Sequence, residues 1–433
     1  MIAPFRTLMF LASLLLLCSC GHKAPQDKSQ TIISMQIVDR NGFTETISNK
    51  ERLKAFKETN FDSPQPYQKV LRVYGRNLFG QSISKITSYH ENGHIWQSLD
   101  VVDGRAHGAY REWYANAQLK IDAPVIEGVP DINQIAQASW IFDGLSKVYD
   151  EEGNLIAAIP YEKGLLHNPS LYYYSTGQLQ KTIPYAKGLV HGTVQVFDVT
   201  GTLIEEIPYT NDEKHGIATA YWTPEKKMYA EEYDLGRLIH ASYYNEKGDC
   251  VANVKDMEGK QAAFKGENLY SFMDIHQGYP EGQLEIFHPN GVLYRSIAMK
   301  EGLKEGEEWE YYPAQPSEPL RPKLSLNWHE DKIQGQVKTW YPTGQIESQR
   351  EISNNKKQGL CFAWYKNGDL MLIEEYEYDR LLKGSYYKKG DKAAVSKIDA
   401  GKGTATLFSS DGILLRKIPY EKGLPQINDE LRR

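Results

Sequence analysis

A mainly β protein built from stacked hairpins, with a small α/β cap before them, is the fold this sequence predicts. Three observations carry the prediction. An aromatic four residues before a turn glycine and an aliphatic two residues after it recur in phase, mostly at 22- to 25-residue intervals. Ile-Pro-Tyr triplets close several of the second strands. Tyrosines number 29 against 13 phenylalanines, which suits half-exposed β-surface where the ring packs and the hydroxyl meets water. Self-similarity of this kind governs the whole reading, because each unit of an array packs only on its neighbours and no single core has to grow.

Residues 1–19 read as an export signal. Arg6 precedes the apolar run Leu8 to Leu17, which is too short to span a bilayer. Leu17-Cys18-Ser19-Cys20 follows and resembles the bacterial lipobox. That resemblance implies cleavage before Cys20 and attachment of lipid, palmitate included, to Cys20. Gly21 in place of aspartate implies the outer membrane as the address. Residues 20–30 are polar and read as a tether. After processing, Cys250 and Cys361 remain as a possible pair. Cys250 takes a place otherwise held by leucine, so a buried free thiol is expected there rather than a disulfide.

Residues 31–84 form the expected cap. Thr31 to Ile47 reads as strand, turn, strand around Asn41-Gly42. Ser48 to Glu51 has capping-box spacing, with a short helix following to about Glu58. A cap is expected at the start of an array because the first unit needs cover for its exposed edge.

Residues 85–425 are the repeats and 426–433 a polar tail. Take the turn glycine as position zero. Position −4 is Tyr89, Trp113, Tyr173, Trp222, Trp340 or Trp364, and position +2 the matching Ile95, Leu119, Leu179, Met228, Ile346 or Leu370. Turn formers before a left-handed glycine predict a three-residue loop with a bulge. That loop sets −3 opposite +1 and −4 opposite +2, so the aromatic and aliphatic meet on one face. Gly104, Gly164, Gly188, Gly302 and Gly423 turn the chain into the next hairpin. Four irregularities interrupt the phase: an insertion over 124–143, a degenerate unit over 256–281, a proline-rich loop over 313–322, and a unit over 386–392 with Lys392 at the leucine place.

The phased Tyr-x-x-x-Gly-x-Leu pattern resembles the MORN-repeat variant of bacterial proteins described as antitoxin-type. The resemblance implies an elongated, twisted antiparallel sheet of stacked hairpins. It names no toxin, and the lipobox and the added N-terminal segment depart from it.

No nucleophile elbow, phosphate loop or paired-histidine zinc motif is present, and Ser82-x-x-Lys85 and Ser385-x-x-Lys388 fall in β-pattern sequence. No cofactor is implied and the chain reads as a non-enzyme. His107, His167, His191, His215 and His240 fall in register. Equivalent strands about 9.5 Å apart are too far for a continuous metal ladder, so these read as turn residues. Position −3 points away from the expected core pair, so Tyr114, Tyr174, Tyr341 and Tyr365 are expected to form an outward contact stripe. With a net charge of −6 and no basic block, nucleic acid is excluded and direct contact with anionic lipid disfavoured. The expectation is a lipid-anchored envelope scaffold for a protein partner. A peptidoglycan binder using the tyrosine stripe, or an immunity or antitoxin-like protein, is the alternative.

Overall fold

The computed structural model of the protein describes residues 31–426, apart from 57–58, 62 and 66–67. The signal peptide, the tether with Cys20, and tail residues 427–433 lie outside the described residues. The chain divides into two compact units, Met1–Phe142 and Asp143–Arg433. Antiparallel hairpins make up nearly all of both, as expected.

In the first unit the strand Thr31–Asp39 pairs on one side with Thr44–Ile47 and on the other with Gln68–Arg76. The Asn41-Gly42 turn forms as expected, with Gly42 at φ 84°. The helix is shorter than expected, Lys50–Lys54, and its cap is Asn49 rather than Ser48. Asn49 Oδ1 accepts from the amides of Glu51 and Arg52, which asparagine does as well as serine. Leu53 on this helix packs with Met35, Ile47, Leu71 and Tyr89, covering the start of the array. The later insertion leaves the sheet at Glu127 and rejoins it at Ile141–Phe142, with a one-turn helix Gln134–Gln137 between. Trp140 anchors it, donating Nε1–H to the Val129 carbonyl at 2.9 Å and packing 4.8 Å from the Tyr110 ring.

In the second unit each strand pairs with its neighbours in sequence. The hairpin Asn168–Tyr173 and Leu179–Ala186 is representative. Tyr173 faces Leu179 across a bulge, Tyr174 and Gln178 close the loop, and Gly177 sits at φ 83°. The inferred loop is therefore the observed one. The opposite end turns on two residues with positive φ, Lys187 at 52° and Gly188 at 87°. That is the type I′ geometry, whose twist matches the strands. Asn211–Asp212 and Asn354–Asn355 make the same turn without glycine. Short polar side chains tolerate the left-handed region, so a reading keyed to glycine passes over them.

Two hairpins depart from the expected register. Thr223 pairs directly with Lys226, so Tyr221 rather than Trp222 takes the −4 place, opposite Lys227. Tyr387 pairs with Ala394, because the loop after it is one residue longer than elsewhere; Tyr386 is buried instead. Cys361 is the buried thiol. Cys250 is exposed, its Sγ lying 3.4 Å from the Ala252 carbonyl on its own strand. Both are free.

The second unit also repeats on a larger scale. Glu231-Glu232-Tyr233, Arg237-Leu238 and Ser242-Tyr243-Tyr244 return as Glu374-Glu375-Tyr376, Arg380-Leu381 and Ser385-Tyr386-Tyr387. The registers agree, Tyr233 facing Leu238 and Tyr376 facing Leu381 after a bulge. Each string sets a carboxylate, Glu231 buried and Glu374 half-buried, under two tyrosines. Glu231 accepts from Tyr233 at 2.9 Å and Tyr243 at 2.6 Å, and Glu374 from Tyr376 at 3.0 Å and Tyr386 at 2.7 Å. Burial, then the carboxylate charge, pushes all four phenols far above their ordinary range. They stay neutral donors, and each carboxylate keeps the hydrogen bonds that burial demands.

Candidate interaction surface

The tyrosines at position −3 do not form an outward stripe. Tyr365 is fully buried and Tyr341 is 5% exposed, while Tyr174 and Tyr114 are half-buried. Three of the four have one task in common. Tyr174 donates to the Phe197 carbonyl at 2.9 Å, Tyr341 to Trp364 at 2.7 Å, and Tyr365 to Tyr387 at 2.7 Å. Each acceptor is the −4 residue of the next hairpin, so the phenol ties consecutive repeats together. Tyr312 does the same to Trp340, and Trp222 reaches Tyr244 through its indole N–H. His90 meets the Trp113 carbonyl at 2.9 Å in the first unit. Burial pushes the Tyr341 phenol up to about 12, fixing it as a donor. Tyr114 has the Lys120 ammonium 5.6 Å from its ring centre. A single hairpin shows position −3 facing away from its own core pair; only the neighbouring hairpin supplies the acceptor.

Three of the in-register histidines cap turns, whereas the His107 ring meets the Ile126 carbonyl at 2.9 Å. The amide of Lys187 donates to His167 Nδ1 at 3.5 Å, Leu235 to His215 at 3.4 Å, and Asp256 to His240 at 3.3 Å. Glu305 and Gln358 take the same place and accept from Glu330 and Tyr378 at 2.8 and 3.0 Å. Any acceptor that caps the first residue of the following type I′ turn serves here. Among the described residues no group of three or more His, Cys, Asp or Glu is placed to hold a metal ion.

The surface left over lies on the other side of the Ile-Pro-Tyr strands. Residues that face each other in an antiparallel pair share a face. Leu145 faces Pro160, Pro169 faces Pro184, and Thr193 faces Pro208. Leu165 faces Glu162 and Leu189 faces Ala186, two residues beyond those prolines and so on their side. The face continues to Ile217. Leu145, Leu165, Leu189 and Ile217 are 48, 52, 41 and 61% exposed. Glycine makes the proline band possible: at Gly192 a Cβ would stand 3.1 Å from Pro184 Cγ, and at Gly216 3.2 Å from Pro208 Cγ. The signal was in the triplets themselves. Alternation turns the isoleucine and tyrosine to one face and the proline to the other.

Residues 142–163, 166–187 and 333–354 match the MORN repeat variant family. The first two segments are consecutive hairpins carrying the proline face. No curated protein matches the chain closely enough to count as a relative.

Proposed function

We propose that the protein is a non-enzymatic scaffold held to the cell envelope by lipid on Cys20, and that it docks a protein partner on the proline–leucine face between Leu145 and Ile217. The observation that carries this reading is the contrast between spent and unspent side chains. Inward carboxylates, −3 tyrosines and turn acceptors are committed to the sheet, whereas the leucines and Ile217 on the proline face are large, apolar and open. Clustered exposed apolar side chains of this kind are a recurrent mark of protein contact. MORN repeats are commonly used for protein or membrane contact, in keeping with a scaffold. A peptidoglycan-binding role built on the four tyrosines loses Tyr341 and Tyr365 to burial. An immunity or antitoxin-like role would use the same face, with a toxin as the partner.

The anchor is tested by palmitate labelling in the cell: the wild type takes up label, Cys20→Ala does not, and label on both or neither sinks it. Docking is tested by capture of interacting proteins with Leu189→Lys/Ile217→Lys, beside Lys332→Glu/Leu360→Lys as a control. A protein lost only from the first variant supports the reading; one retained by both contradicts it.

A further inference from the structure

The first unit presents an apolar edge that its own packing leaves open. The tip between Gln68–Arg76 and Ser82–Tyr89 carries Leu78 and Phe79, 80 and 88% exposed. The insertion adds Val129 at 47% and Ile135 at 86%. These loops lie at the same edge. Ser82 N–H donates to Asp103 Oδ1 and Asp103 N–H to the Ser82 carbonyl, setting the tip beside the next turn. Ala106 N–H then bonds the Gly128 carbonyl, bringing the insertion alongside. The tip is a built loop: Asn77 Oδ1 accepts from the amides of Phe79 and Gln81, both at 3.0 Å, and Arg76 donates to the Gly80 carbonyl.

Two further facts choose the occupant. Thr31 pairs with Arg76, so the described chain begins at this same edge. Thr31 lies eleven chain steps from Cys20, a reach of at most about 36–40 Å fully extended. Arg105 pairs with Glu127 at 3.6 Å and Asp103 accepts from the Ser82 amide, while Arg76 beside the tip is an exposed cation suited to the headgroup layer. We propose that this edge seats in a lipid bilayer, Leu78 and Phe79 entering the acyl boundary while the anchor holds them there. The inference rests on lipid attachment at Cys20 to bring the edge to the membrane. It does not need basic residues, so the acidity of the whole chain does not oppose it.

The test uses full-length protein in vesicles of phosphatidylethanolamine and phosphatidylglycerol with brominated acyl chains. Phe79→Trp is compared with Phe43→Trp, a 73% exposed residue at the turn on the far edge, after subtracting wild-type emission. Bromine quenching of the emission added by Phe79→Trp, and not of that added by Phe43→Trp, is expected. Equal quenching of the two, or none at Phe79→Trp, overturns the inference, as does shielding that appears only with a second protein present. Mass measurement of the same sample reports acylation separately. Acylated protein without quenching refutes insertion and leaves the anchor standing; absent acylation refutes the anchor while quenching still decides insertion.

Discussion

The two halves of the second unit share one scaffold and differ in what they put on it. Where Leu145 faces Pro160 in the first half, Gln283 faces Ala298 in the second; Pro169 and Pro184 become Glu307 and Asn327, and Thr193 and Pro208 become Gln336 and Glu351. The interior changes as well. Ser170, fully buried with no partner for its hydroxyl, corresponds to Glu308, which is 1% exposed and bonded to Arg295, Lys304 and the Trp328 indole N–H. Turn and bulge positions, by contrast, are kept. Positions that close the backbone are fixed by geometry, and the faces are free to specialise.

The largest expected effect lies at that interior position. Glu308→Ala takes the buried carboxylate from two half-buried cations and the Trp328 indole N–H, and should cost about 3–5 kcal/mol. Ser170→Ala removes an unpartnered hydroxyl and should be neutral or slightly stabilising. Hydrogen exchange resolved by hairpin would show the loss confined to the second half; matching losses at both sites would contradict the comparison.

Closely packed strand glycines should behave alike in both halves. A Cβ on Gly259 would lie 2.2 Å from the Asn253 carbonyl oxygen, and one on Gly403 2.3 Å from that of Lys397, each at φ 145°. Backbone cannot step aside as a flexible side chain can. Alanine at either site should cost about 2–4 kcal/mol, from overpacking and the left-handed conformation together. A site that tolerates alanine would show that the two positions are not equivalent.

Removing a hydroxyl staple should discriminate by burial. Tyr365→Phe leaves a carbonyl in the interior without its donor and should cost about 1–3 kcal/mol. Tyr174→Phe, half-buried and within reach of water, should cost less than about 1 kcal/mol. Urea unfolding followed through tryptophan emission ranks them, and the reverse order would mean the phenol does not hold the repeats together.

Smaller still is the pH effect of two exposed pairs, one from each half. A hydrogen bond from His276 holds Glu258 low after the Gln277 amide, and the carboxylate raises His276 in turn; His329 and Glu305 do the same. A raised histidine stabilises below its ordinary 6.5, and that contribution is lost as pH rises through the folded value. A lowered glutamate stabilises above its ordinary 4.5, and that is lost as pH falls through its folded value. Both terms are therefore complete between about 4.5 and 6.5. Melting of His276→Gln should approach that of the wild type at pH 8 and fall below it at pH 5.5; a gap independent of pH would remove the ion pair from the account.

Much of the scaffold was legible in the sequence, because a left-handed turn glycine fixes loop length, and loop length fixes which side chains share a face. Tyr173 opposite Leu179 follows from that alone. The fate of Tyr174 does not, since its partner is the Phe197 carbonyl on the next hairpin and carbonyls leave no mark in a residue string. Cys250 shows a related limit: its strand position was right, yet exposure depends on where its side chain turns. The internal duplication was obscured by the loop over 313–322, which shifts the phase between the halves. The Ile-Pro-Tyr triplets mark strand ends in the sequence, but which of their two faces stays open depends on the hairpins packed beside them.

The difference between the two faces is tested most directly by a photo-reactive residue placed, in the living cell, at Ile217 or at its counterpart Leu360, which are 61 and 44% exposed. A discrete protein adduct from position 217 and none from position 360 is the predicted result. Equal adducts from both, or an adduct from position 360 alone, would contradict the assignment of docking to the proline–leucine face.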